Sequence, residues 1–148
     1  MENKFSAEYE KYVEILGQYN ASKASKDEDG MEAARGAHLE QEARIEAMGK
    51  SFASIFELYV NARERGNENI DISECCEYRS EADLIASFRE FGIDTFTFSS
   101  RWSSAVESAW AFIQNGCTLM GMVEINSRTK DWEGCYEKRP AYLFSVNR

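Results

Sequence analysis

The spacing of the apolar residues changes period once along this chain, and that change limits what it can fold into. Phe5, Tyr9, Tyr12, Leu16 and Tyr19 recur at intervals of 4, 3, 4 and 3, which lays them on one stripe of an α-helix. The same spacing returns at Ile45, Met48, Phe52, Ile55 and Tyr59, and extrapolates backwards through Gln41, His38, Ala34 and Met31. The polar stretch from Ala21 to Gly30 lies between the two runs. It reads as the turn of an antiparallel helical hairpin. The second arm is expected to be one helix from Met31 to Glu64, about 50 Å long at 1.5 Å per residue, ended by Gly66 as a C-terminal cap. Such a helix is longer than a small core, so its weaker first half, Met31 to Gln41, is expected to pack only on the first helix or on a partner, through which the hairpin would dimerise or dock.

Beyond Gly66 the pattern mixes periods. Ser80 and Asp83 form a helix start, Leu84, Ile85, Phe88 and Phe91 an apolar face, and Gly92 a stop. Thr95 to Ser99 alternates with period two, as a half-buried strand does. Trp102 to Asn115 returns to helical spacing, with Trp102, Val106, Ala109, Trp110 and Ile113 on one side. Thr118 to Asn126 and Ala141 to Val146 read as two more strands, an antiparallel pair joined by a polar loop holding Trp132 and Pro140. The expected fold is α+β: a helical hairpin over residues 1–65, then a small domain over residues 66–148 with a three-stranded, partly antiparallel sheet.

Charge narrows the function. The chain carries 26 acids against 17 bases, a net charge of -9, which disfavours direct nucleic-acid binding, where cations must displace phosphate counterions. Protein partners with a basic surface fit better. The excess is concentrated: residues 66–100 carry a net -6, against -4 for residues 1–65 and +1 for residues 101–148. Glu68, Asp71, Glu74 and Glu77 recur every third residue, with Glu81 and Asp83 beyond. On a helix such a row rises about 4.5 Å per carboxylate, close to the roughly 3.4 Å between phosphates of one DNA strand. These six acids are the candidate partner-binding residues, as a nucleic-acid mimic. The bland alternative is a solvated acidic face.

Catalytic chemistry has little to stand on. His38, the one histidine, falls on the hairpin seam with no metal or triad partner near it in sequence. Gly49, Lys50 and Ser51 imitate the end of a phosphate-binding loop, but Arg44 stands where the motif needs glycine. Cys75 and Cys76 sit between Glu74 and Glu77, whose charge disfavours a thiolate. Cys117 and Cys135 flank a strand and its return loop, close enough in topology to be neighbours. The run from Ser99 to Ser104, with Arg101 and Trp102, offers amides and a cation to a phosphate, although Ser104 with Glu107 has ordinary capping-box spacing. No metal and no cofactor are expected, and the chain is read as no enzyme. Neither an apolar run of membrane-spanning length nor a basic leader is seen, so a cytoplasmic protein is expected.

The strings LYVNARERGN (58–67), FTFSSRWSSAVESAW (96–110), NGCTLMGMVEIN (115–126) and AYLFSVN (141–147) resemble a family of small uncharacterised proteins carried on mobile elements of Gram-positive gut bacteria. The resemblance covers about 90 residues, leaves out the hairpin, and brings no catalytic residues with it. It implies a setting in which small acidic proteins act as counter-defence factors, including anti-CRISPR inhibitors of an effector nuclease. Two functions are therefore expected to compete: an inhibitor of a nucleic-acid-handling defence enzyme, and an interaction module that works through its hairpin.

Overall fold

The computed structural model describes residues 2–73, 80–100 and 103–148, with side chains from residue 4 onward. The chain divides into two compact units, residues 1–54 and 55–148.

The first unit is the expected helical hairpin. Helix α1 (Glu2–Ala24) and helix α2 (Glu28–Ala47) pack on each other along most of their length. Ser25 to Asp27 turn the chain between them, with Lys26 at a φ of 59°. The Asp27 side chain then accepts from the Gly30 amide at 3.1 Å, satisfying one of the free donors at the start of α2. Phe5, Ala34, Gln41 and Ile45 are buried. The Phe5 ring stacks on Phe52 with centroids 4.6 Å apart.

The second arm is not the single long helix expected from Met31 to Glu64. It is two helices, α2 and α3 (Lys50–Arg65), because Gly49 takes a φ of +105° and the helical ladder stops at Met48. An L-residue is strained in that conformation. The apolar spacing runs straight through the break, so periodicity alone did not reveal it. Gly66, with a φ of +73°, ends α3 as expected.

The second unit holds a four-stranded mixed sheet, one strand more than expected. The extra strand is β1 (Ile70–Asp71), which pairs parallel with β2 (Thr95–Phe98) and is too short to show any alternation. Helix α4 (Glu81–Glu90) connects the two, capped by the Ser80 hydroxyl on the Asp83 amide. Helix α5 (Ala105–Gln114) follows β2, and β3 (Cys117–Lys130) and β4 (Tyr136–Val146) form a long antiparallel hairpin in the order β1-β2-β4-β3.

Phe88 of α4, Phe96 of β2, Phe112 of α5 and Phe144 of β4 meet around Phe96, with centroids 5.2 to 5.4 Å from it. All four are fully buried. Each aromatic pair adds about 0.5–1.5 kcal/mol beyond its buried area. Arg89 ties the elements together, donating to the Asn115 carbonyl at 2.6 Å and the Asn147 carbonyl at 3.0 Å. That bridge requires glycine at position 116, where a Cβ would stand 2.5 Å from the guanidinium.

Three further expectations change. Pro140 lies inside β4, opposite Glu124, and not in the loop. Ser104 stands at the N-terminus of α5 but its side chain makes no capping bond. Cys117 and Cys135 lie at opposite ends of the β3–β4 hairpin and are both free, the first buried and the second exposed.

Candidate partner-binding surfaces

Among the described residues, the acids of the row do not share one face. Glu68 is exposed in the turn after α3. Asp71 lies on β1, where its pairing with Thr97 puts both side chains on the same sheet face, and it is only 9% exposed. Its carboxylate accepts from the Thr97 hydroxyl at 2.8 Å and from the Ser99 hydroxyl at 3.2 Å. Burial pushes its pKa up, against the hydrogen bonds from Thr97, Ser99 and Ser73 and the charge of Arg65. Asp71 is therefore an internal acid and not part of an outward stripe. Residues 70–71 are strand, so helical spacing does not relate Glu68 to Asp71. Glu74 and Glu77, with Cys75 and Cys76, lie outside the described residues, as do Arg101 and Trp102. Glu81 is half-buried and accepts from the Ser108 hydroxyl at 2.9 Å, joining α4 to α5, while Asp83 is exposed on the first turn of α4.

The hairpin presents a different surface. Tyr12, Leu16 and Tyr19 from α1 and Arg35, His38 and Leu39 from α2 line an open, mostly apolar groove of about 500 Å³. Leu39 is 63% exposed and Leu16 43%. Sequence spacing placed Leu16 and His38 in the seam between the arms, but the seam is closed by Ala34, Gln41 and Ile45. The apolar stripe is wider than one neighbouring helix uses, and its surplus forms the groove.

Polar contacts hold the groove's rim. The Arg35 guanidinium lies 5.6 Å from the Tyr19 ring centroid and donates to its hydroxyl at 3.5 Å. These contacts push the Tyr19 pKa down. His38 pairs with Glu42 at 3.0 Å, one helical turn on.

Below the groove, Glu8 was not singled out by the sequence, yet it is the polar centre of the hairpin. It is only 4% exposed and accepts from two Arg44 nitrogens, Nε at 3.1 Å and Nη2 at 2.8 Å, while Gln41 donates to its carboxylate at 3.2 Å and to its backbone carbonyl at 2.7 Å. The Arg44 hydrogen bonds hold its pKa down to about 2 against burial, helped by Gln41 and Lys11. Its position three residues after Phe5 and four before Tyr12 was the available signal, since that spacing shares their helix face.

Further apolar side chains are exposed on the second unit. Val106, Trp110 and Ile113 form an outward stripe on α5, and Leu119, Met120 and Met122 stand exposed on β3 at the sheet edge. Part of that edge is blocked by Asn67, whose side-chain amide accepts from the Asn126 backbone amide at 2.9 Å and donates to the Asn126 carbonyl at 3.0 Å, as a neighbouring strand would. Trp132, 93% exposed, sits at the hairpin tip, in a turn where Asp131 accepts from the Glu133 and Cys135 amides. Among the described residues no cluster of three metal-ligating side chains forms, and no helix is long and apolar enough to cross a membrane.

No curated protein and no solved structure matches the chain. A family model described as a domain of unknown function (DUF7698) matches residues 54–146, which takes in the second unit almost whole, covers three of the four strings above and all but Asn147 of the fourth, and leaves out the α1–α2 hairpin. The chain belongs to this uncharacterised family.

Proposed function

We propose that this protein is a non-enzymatic cytoplasmic binding module that docks through its helical hairpin. The observation that carries the reading is the groove lined by Tyr12, Leu16, Tyr19 and Leu39, an apolar surface left open by helices already paired with each other. Exposed apolar area of this kind gains free energy when covered, at about 25 cal/mol per Å², and contiguous patches on a soluble surface mark interaction sites. An apolar fluorescent dye titrated into dilute protein tests it. Wild type is expected to bind, with Leu16→Asn and Leu39→Asn each weakening the dye; equal binding by all three proteins would contradict a groove in use.

The charge distribution favours a second reading, inhibition of a nucleic-acid-handling defence enzyme of the anti-CRISPR kind, in the mobile-element setting that the sequence resemblance implies. Glu68 and Asp83 keep their carboxylates at the surface within a segment of net charge -6. The test is nuclease cleavage in a salt series, comparing wild type with Glu68→Gln, Glu81→Gln and Asp83→Asn combined. Salt-sensitive inhibition, lost in the neutralised protein, supports it, because exposed charges are screened over about 8 Å at physiological ionic strength. Equal inhibition by both proteins at every salt concentration would end the mimicry mechanism.

A further inference from the structure

We infer that the occupant of the hairpin groove is a second copy of this chain, packed groove on groove about a two-fold axis with the two α2 helices antiparallel. The inference rests on the docking reading above and names its partner. A two-fold contact requires one surface to supply both the knob and the hole. Leu39 meets that requirement: it is the most exposed large apolar residue of the hairpin and also lines the groove that it would fill in the other copy. Tyr12, Leu16 and Tyr19 form the wall it meets.

Charge selects this pairing. Arg35 and Glu42 stand seven residues apart, two helical turns, on the same flank of α2, with their midpoint between His38 and Leu39. An antiparallel pairing centred there sets each Arg35 opposite Glu42 of the second copy. The same register sets Glu32 opposite Ile45, Met31 opposite Glu46 and Glu28 opposite Gly49, so no acid faces an acid. A parallel pairing would set Arg35 against Arg35 and Glu42 against Glu42. Both charges are already held at the rim, Arg35 by the Tyr19 ring and hydroxyl and Glu42 by His38, so pairing costs less side-chain entropy than between free surface residues.

Sedimentation equilibrium of the full chain over a wide concentration range tests the inference at fixed, near-physiological salt. Wild type is expected to show a reversible monomer–dimer equilibrium, and Leu39→Glu to raise the dissociation constant about tenfold or more, a change equal to roughly 1.4 kcal/mol. Arg35→Glu and Glu42→Arg should each weaken association about fivefold or more, while the double variant R35E/E42R should return it to about the wild-type value by restoring both pairs in reverse. All three positions are exposed, so circular dichroism should report unchanged helix. A monomer at every concentration, or a double variant no better than either single one, overturns the second copy as occupant. Should that monomer still bind the dye in a Leu16- and Leu39-dependent way, the docking reading stands without it; loss of both signals removes both.

Discussion

Removing the Glu8 carboxylate would leave Arg44 facing an acceptor that no longer exists and Gln41 with only the Glu8 backbone carbonyl. Arg44 is partly exposed and regains water, so Glu8→Ala should cost about 2–3 kcal/mol, below the cost of breaking a fully buried pair. The pH dependence has a definite sign. A carboxylate whose folded pKa is held down to about 2 contributes stability that is present above its unfolded value of 4.5 and is lost as the pH falls towards 2. Urea unfolding of wild type and Glu8→Gln should therefore differ most near neutrality and converge in acid; a constant difference would mean that the pair contributes no charge term. Asp71 has the opposite sign. Burial raises its pKa, so its contribution favours the folded state at low pH and is lost as the pH rises through the folded value. Asp71→Asn should gain on wild type as the pH rises from the acid range to neutrality, in the same unfolding series. The two residues also mark the limit of reading charge from spacing. Spacing puts Glu8 on the helix face of Phe5 and Tyr12 and Asp71 in an outward acidic row, and the partners that hold the two carboxylates come from 33 and 26 residues away.

At the scale of elements, the sequence was legible wherever one period ran unbroken. Helix α1, the Ser80-capped α4 and the alternating β2 follow from the spacing of Phe5 to Tyr19, Leu84 to Phe88 and Thr95 to Phe98. What escaped was set by single residues or by distant ones. Gly49 breaks the second arm inside an intact apolar repeat, and β1 exists because β2 offers it a parallel ladder, not because two residues carry a pattern. The β3–β4 hairpin extends past its apolar part because long-range pairing holds polar residues as well, up to Lys130 opposite Tyr136. Two substitutions test these devices. Gly49→Ala places a Cβ in a conformation that L-residues rarely adopt, and should cost about 1–3 kcal/mol although its surroundings are open; no change in melting temperature would show that the break relaxes freely. Asn67→Ala removes both bonds to Asn126 and should cost about 1–3 kcal/mol. Faster hydrogen exchange at Asn126 is its specific signature, and unchanged exchange there would show that the bracket does not protect the edge.

Over the whole molecule, the family match and the docking groove lie on different parts of the chain: residues 54–146 belong to the uncharacterised domain, while the groove is built from residues 12–39. The fold class was readable because helical and strand periods occupy separate stretches of sequence. The docking surface was only half readable. Its residues appeared in the periodicity of α1 and α2 as core, and distinguishing core from open groove requires knowing how many helices pack against them. If a second copy of this chain occupies the groove, self-association must perturb the groove residues first, and heteronuclear NMR of the isotopically labelled full chain, dilute and then concentrated, reads this directly. Concentration-dependent shifts are expected to cluster at Tyr12, Leu16, Tyr19, Arg35 and Leu39. Shifts confined to Val106, Trp110 and Met122 on the second unit, or no shifts at any concentration, would contradict it.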